Sequence, residues 1–155
     1  MKMKLAAVAC LALVPILSGA LAHRRGDSAF GRITAVRSAD VVVFAHGAGT
    51  YDLRIIGIVP PRDTADARVA VTFLAELVLN RNVRMRLEGR LPNGQLRARL
   101  FTADSAAAIQ EVSVELVRAG VVQKQPNFDL KYGELGRAES DARAARRGLW
   151  APVRR

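Results

Sequence analysis

The sequence predicts an α+β domain in which strands dominate, in the order three strands, one helix, two strands, two helices. Three observations carry this. Residues 31–58 and 83–101 alternate apolar with polar residues or run in β-branched stretches, and glycine- or proline-rich turns interrupt them. Residues 63–80 place apolar side chains at helical spacing behind an acidic cap. Two further helical patterns close the chain, each stopped by a glycine, Gly120 and Gly148.

Ahead of these elements lies a segment of different character. Lys2 and Lys4 form a positive start, residues 5–17 are uncharged and apolar apart from Pro15, and Ala20-Leu21-Ala22 is a small-x-small sequence. This is the layout of a secretory signal peptide cleaved after Ala22, so residues 1–22 are expected to leave an exported, periplasmic or secreted protein. An uncleaved anchor is the alternative, but the uncharged stretch reaches only the lower edge of spanning length. Cleavage removes Cys10, the one cysteine, and with it thiol catalysis and cysteine-based zinc sites. It also removes two lysines, leaving 22 basic against 14 acidic residues, nearly all of the basic ones arginine. Arginine suits forked recognition of phosphate or carboxylate. Such a balance permits a polyanion partner without demonstrating one.

Residues 23–30 read as a short polar lead-in to a single domain spanning 31–152. Residues 31–37 form the first strand, Ser38-Ala39-Asp40 a turn, and 41–45 the second strand. His46-Gly47-Ala48-Gly49 links it in a hairpin to a third strand over 51–58, which Pro60-Pro61 terminates. Asp63 or Thr64 caps the first helix, whose apolar face is Val69, Phe73, Leu77 with Ala70, Leu74, Val78. Residues 80–82 end it. Strands over 83–87 and 96–101 flank the turn Pro92-Asn93-Gly94. Val83, Met85, Leu87 share one face and Leu96, Ala98, Leu100 another. The opposite faces therefore carry Arg84, Arg86, Arg97 and Arg99, a cluster that needs water, acidic neighbours or a bound anion. A second helix covers about 106–119, with Ile109, Val112 and Leu116 facing in. A third covers about 135–147, with Leu135, Ala138, Ala142 and Ala145 buried, and Leu149 and Trp150 fold back as an apolar plug.

Three segments then give the chain a familiar look: Leu53-Arg54-Ile55-Ile56-Gly57-Ile58-Val59-Pro60-Pro61; Gly94-Gln95-Leu96-Arg97-Ala98-Arg99-Leu100-Phe101; and Val114-Glu115-Leu116-Val117-Arg118-Ala119-Gly120, followed by Glu139 and the ending Ala142-Arg143-Ala144-Ala145-Arg146-Arg147-Gly148-Leu149-Trp150. Over residues 31–150 the chain resembles the staphylococcal nuclease (thermonuclease) family. The resemblance implies a five-stranded OB-type barrel with three helices, which agrees with the element order. It also implies, for active members, calcium-dependent phosphodiester hydrolysis of DNA and RNA. That chemistry uses carboxylates on a hard cation, a carboxylate base for the attacking water, and arginines on the phosphate.

By this resemblance Asp40 matches the first calcium-binding aspartate and Arg54 the first phosphate-clamping arginine. Val59 stands where the second calcium aspartate is expected, Arg62 where the glutamate base is, and Gln95 where the second catalytic arginine is. Two of the five chemical groups remain. Val59 offers no metal ligand, and a positive charge at 62 would repel calcium. Sliding Asp63 into the base position restores no metal ligand, and Asp63 suits helix capping better.

Each of these residues has a plainer reading. Asp40 is a common turn residue. Arg54 shares a strand face with Asp52, which would neutralise it. Arg84, Arg86, Arg97 and Arg99 form either a solvated face or, with Arg54, a nucleic-acid-binding surface. Tyr51, Tyr132 and Phe128 are too scattered for a base-stacking platform, and His23 and His46 do not have zinc spacing. The expectation is a monomeric, nuclease-like domain that binds nucleic acid or another polyanion, with no cofactor and with Asp40 as the only candidate metal ligand. The alternatives are an active metal-dependent phosphodiesterase with a rearranged site built on Asp40, Arg54 and Asp63, for which calcium would be the cofactor, and a structural or protein-binding envelope component.

Overall fold

A computed structural model describes residues 26–102 and 109–152; the expected signal peptide, residues 23–25 of the lead-in and 106–108 of the expected second helix lie outside them. Strand β1 (Ser28–Ser38) turns at Ala39-Asp40 into β2 (Val41–His46), which a hairpin joins to β3 (Gly49–Ile55). β4 (Ile58–Val59) follows, then helix α1 (Thr64–Val78), β5 (Asn82–Arg90), β6 (Leu96–Thr102) and β7 (Gln110–Glu111). Helix α2 (Val112–Arg118), β8 (Gln123–Lys124), helix α3 (Glu134–Ala144) and a 3-10 turn (Gly148–Trp150) complete the chain. The strand order β3-β2-β1-β5-β6 closes on itself because β3 also pairs with β6, in parallel. This is the five-stranded OB-type barrel with three helices.

Period-2 alternation sets the barrel's inside. Ile33, Val42, Phe44, Leu53, Val83, Met85 and Leu100 are almost fully buried, and Leu74, Val78, Leu116 and Leu135 close the core from the helices. Each such side chain contributes roughly 2 kcal/mol of burial. Helix α1 starts where Asp63 Oδ1 accepts hydrogen bonds from the amides of Ala65 (2.8 Å) and Asp66 (3.1 Å), and ends as Asn80 turns left-handed. Of its expected apolar face, Ala70, Leu74 and Val78 are buried and Phe73 and Leu77 pack against the core, but Val69 is exposed. Position 69 lies at the edge of the apolar stripe, and the barrel is covered without it.

The structure departs from the sequence reading in five further places. The lead-in is partly strand: Ser28 to Gly31 pair with Arg86 to Val83. The third strand does not run to Ile58. Gly57 sits at φ +84 and breaks it, so that Ile58 and Val59 pair instead with Lys124 and Gln123. The second helix begins only at Val112, because Gln110 and Glu111 are extended and pair with Thr102 and Phe101; Ile109 is accordingly exposed. The third helix stops at Ala144, leaving Ala145 exposed, since Arg146 takes φ +51 and turns the chain. Trp150 is only half-buried, with the Arg143 guanidinium 4.0 Å over its ring, while the Leu149 amide bonds the Gly120 carbonyl (2.8 Å). Among the described residues no helix is long and apolar enough to cross a membrane.

Candidate functional site

The β1–β2 turn, the end of β3, the β4 turn and the start of β6 meet at a cleft of about 320 Å³, lined by Asp40, Arg54, Ile56, Val59, Pro60 and Arg97 among others. Asp40 is 6% exposed. Its Oδ1 accepts the Ser38 hydroxyl (2.8 Å) and its Oδ2 lies 3.2 Å from Arg54 Nη1. Arg54 Nε in turn donates to Gln95 Oε1 (3.1 Å). The guanidinium is thus held on two sides and open on the rest. Asp40 is more than a turn residue, and Asp52 is not the partner of Arg54: Asp52 accepts from Arg37 Nε at 2.8 Å. Register explains the exchange. Val41 stands opposite Arg54 across β2–β3, which brings the neighbouring Asp40 to it.

The positions where the resemblance implies lost chemistry are separated by the fold. Val59 lines the cleft and is 37% exposed, so it presents methyl groups there. Arg62 is exposed and is not among the residues lining the cleft, so the charge expected to repel calcium lies outside it. Gln95 lines a neighbouring hollow of about 420 Å³ with Thr50, Tyr51 and Asn93, and is linked to the cleft by its hydrogen bond from Arg54. Asp63 is committed to capping α1. Among the described residues no three His, Cys, Asp or Glu side chains are grouped to hold a metal ion. Among the described residues the cleft supplies one carboxylate, with both oxygens already engaged, and this donor set does not fit calcium, which takes six to eight oxygens.

The four arginines on the outer face of β5 and β6 behave differently from one another. Arg86 and Arg99 are direct cross-strand partners. Their repulsion is relieved by carboxylates: Arg86 pairs with Glu88 (3.5 Å), and Arg99 donates to Glu111 through Nε (2.9 Å) and Nη2. Glu111 also accepts from the Ser113 hydroxyl (3.1 Å). The hydrogen bond to Glu111 holds the Arg99 guanidinium above its ordinary pKa, against the opposing effect of burial. Arg84 lies 4.7 Å over the Phe101 ring and its Nε is buried without a partner. Arg97 has no hydrogen bond or ion pair among the described residues, and it stands in register with Arg54. Of the five expected binding arginines, the fold therefore brings Arg54 and Arg97 together in the cleft. Arg99 and Arg86 are taken up by carboxylates and Arg84 by an aromatic ring. Glu111, which organises much of this face, was missed by the sequence reading because it was placed inside a helix.

Residues 53–152, roughly two thirds of the chain, match the family model described as Staphylococcal nuclease homologue. The match begins after Asp40 and takes in Arg54, Val59, Arg62, Gln95 and Arg97. No curated protein matches the chain.

Proposed function

We propose, from the premise that this chain belongs to the staphylococcal nuclease homologue family, that it is an exported domain binding nucleic acid or another polyanion without calcium-dependent hydrolysis. One observation carries the reading: among the described residues the one carboxylate lining the cleft, Asp40, is consumed by Arg54 and Ser38, while Val59 offers no oxygen. What remains is a cationic cleft over an apolar wall. It is suited to holding a phosphate but not to activating water against one. The excess of basic residues supports electrostatic attraction of a polyanion. The amino-terminal pattern of residues 1–22 supports export.

The test is fluorescence anisotropy of the purified protein with labelled single-stranded DNA at rising salt, with calcium and with chelator, followed by sizing of the DNA. The expected result is binding that weakens steeply with salt, is indifferent to chelator, and leaves the DNA intact. Calcium-dependent cleavage that disappears in Arg54→Ala would establish the nuclease alternative instead. A folded protein that binds no DNA at low salt would leave the envelope-component reading.

A further inference from the structure

We propose that Arg97 is the second guanidinium of a two-arginine clamp for a single phosphate group, and that Gln95 is the positioning residue that holds the first, Arg54. The clamp deepens the polyanion-binding reading and rests on it.

Strand register makes the pair. In the parallel β3–β6 ladder, Arg54 stands opposite Arg97, flanked by Leu53 opposite Leu96 and Ile55 opposite Ala98. All four flanking residues are buried. Side chains alternate across a strand, so Arg54 and Arg97 leave the barrel on the same outer face, from strands about 4.8 Å apart. Both line the one cleft.

Two like charges at that spacing repel, and the fold relieves only part of it. Asp40 supplies one negative charge. Among the described residues, the charged ones lining the cleft, Asp40, Arg54 and Arg97, therefore leave a net single positive charge, which one phosphodiester group neutralises. Elsewhere on this face Arg99 and Arg86 already have carboxylate partners, Glu111 and Glu88, while Arg84 lies over the Phe101 ring and outside the cleft. Arg54 has Nε and Nη1 committed to Gln95 and Asp40, which leaves Nη2 for a ligand. Arg97 has its whole donor fork uncommitted among the described residues. A phosphate between them accepts from both forks, the geometry arginine favours.

The same contacts give position 95 a role other than that of a second arginine. Gln95 contributes an acceptor, its Oε1, to Arg54 Nε. An arginine has no acceptor to offer there. Its amide oxygen orients Arg54 and adds no charge, so loss of Gln95 and loss of Arg97 have different signatures.

The experiment measures affinity and salt slope for a fluorescein-labelled oligothymidylate with wild type, Arg97→Gln, Arg97→Lys, Gln95→Ala and Arg86→Gln, each first shown folded by circular dichroism. Arg97→Gln is expected to weaken binding about tenfold and to lower the magnitude of the salt slope by about 0.7. Arg97→Lys should keep the slope and lose affinity, because the charge stays and the fork goes. Gln95→Ala should weaken binding about threefold with the slope unchanged. Arg86→Gln should change affinity less than Arg97→Gln does. If wild type binds and Arg97→Gln matches it in both affinity and slope, the clamp is overturned while the binding function stands. If wild type does not bind at low salt, the binding function itself fails, and the clamp with it.

Discussion

Arg99 and Glu111 face each other from neighbouring strands of the barrel rim, guanidinium against carboxylate, joined by two hydrogen bonds. Glu111 is 9% exposed at its side chain and Arg99 23%, so the pair is largely withdrawn from water. Glu111→Ala strands a half-buried cation and is expected to cost about 2 kcal/mol, read as a lower urea midpoint at unchanged slope. The sign of the pH effect follows from the raised pKa of Arg99. A group whose pKa rises on folding stabilises fully below its unfolded value and loses that contribution only as pH climbs through the folded one. For an arginine that window is strongly alkaline. The Arg99 contribution is therefore constant from about pH 6 to about pH 10. A difference between wild type and Arg99→Met that varied with pH in this range through Arg99 itself would contradict it.

Asp40→Asn tests what the buried carboxylate does. If Asp40 serves chiefly as the counter-ion of Arg54, removing its charge leaves the cleft more cationic. Affinity for single-stranded DNA should rise about threefold, while stability falls by about 1–2 kcal/mol as the charge-assisted contact weakens. Anisotropy and denaturation on the same preparation read both. A fall in affinity would assign Asp40 to the ligand instead.

Asp63→Ala should lower stability by about 1 kcal/mol through loss of two bonds to the first turn of α1. It should leave DNA binding and any hydrolysis unchanged. An effect on hydrolysis with no effect on stability would return Asp63 to the role of a base.

Gly57→Ala meets two obstacles at once. The residue has φ +84, and an added Cβ would stand 2.6 Å from Phe128 Cε1 and 2.9 Å from Leu135 Cδ1. Destabilisation of about 2 kcal/mol or more is expected, measured by thermal or chemical denaturation. Because Gly57 is where the chain leaves β3 for β4, a milder effect would mean that the β4–β8 pair tolerates a shift.

Long periodic segments were legible in the sequence because burial enforces them: the alternation in 83–87 and 96–101 and the stripe of Ala70, Leu74 and Val78 all face the core as expected. What escaped is set by partners distant in sequence. β4 and β8 hold two residues each, too few to show a period, and exist only because Gly57 redirects the chain. Asp52 and Arg54 sit two apart on one face, which suggests a local pair, yet antiparallel register supplies Arg37 to one and Asp40 to the other. Residues around 106–111 have helical composition, but Glu111 is drawn out of any helix by the edge of β6 and by Arg99. In the cleft, Asp40, Arg54 and Val59 were found by position. The company of Arg97 was not, because only the closing of the barrel brings β3 and β6 side by side.

That closure has a consequence for how the protein is assembled. Leu53 and Leu96 meet across more than forty residues of chain, so the β3–β6 ladder is among the least local contacts in the fold. Arg54 and Arg97 are strangers until it forms, and an open chain has nowhere to seat a phosphate between them. A ligand held there binds the closed barrel alone and so draws the folding equilibrium toward it, by an amount that grows with ligand concentration. The polyanion would then act as the barrel's clasp, and a chain cut short before β6 would lose its grip on the ligand together with its shape.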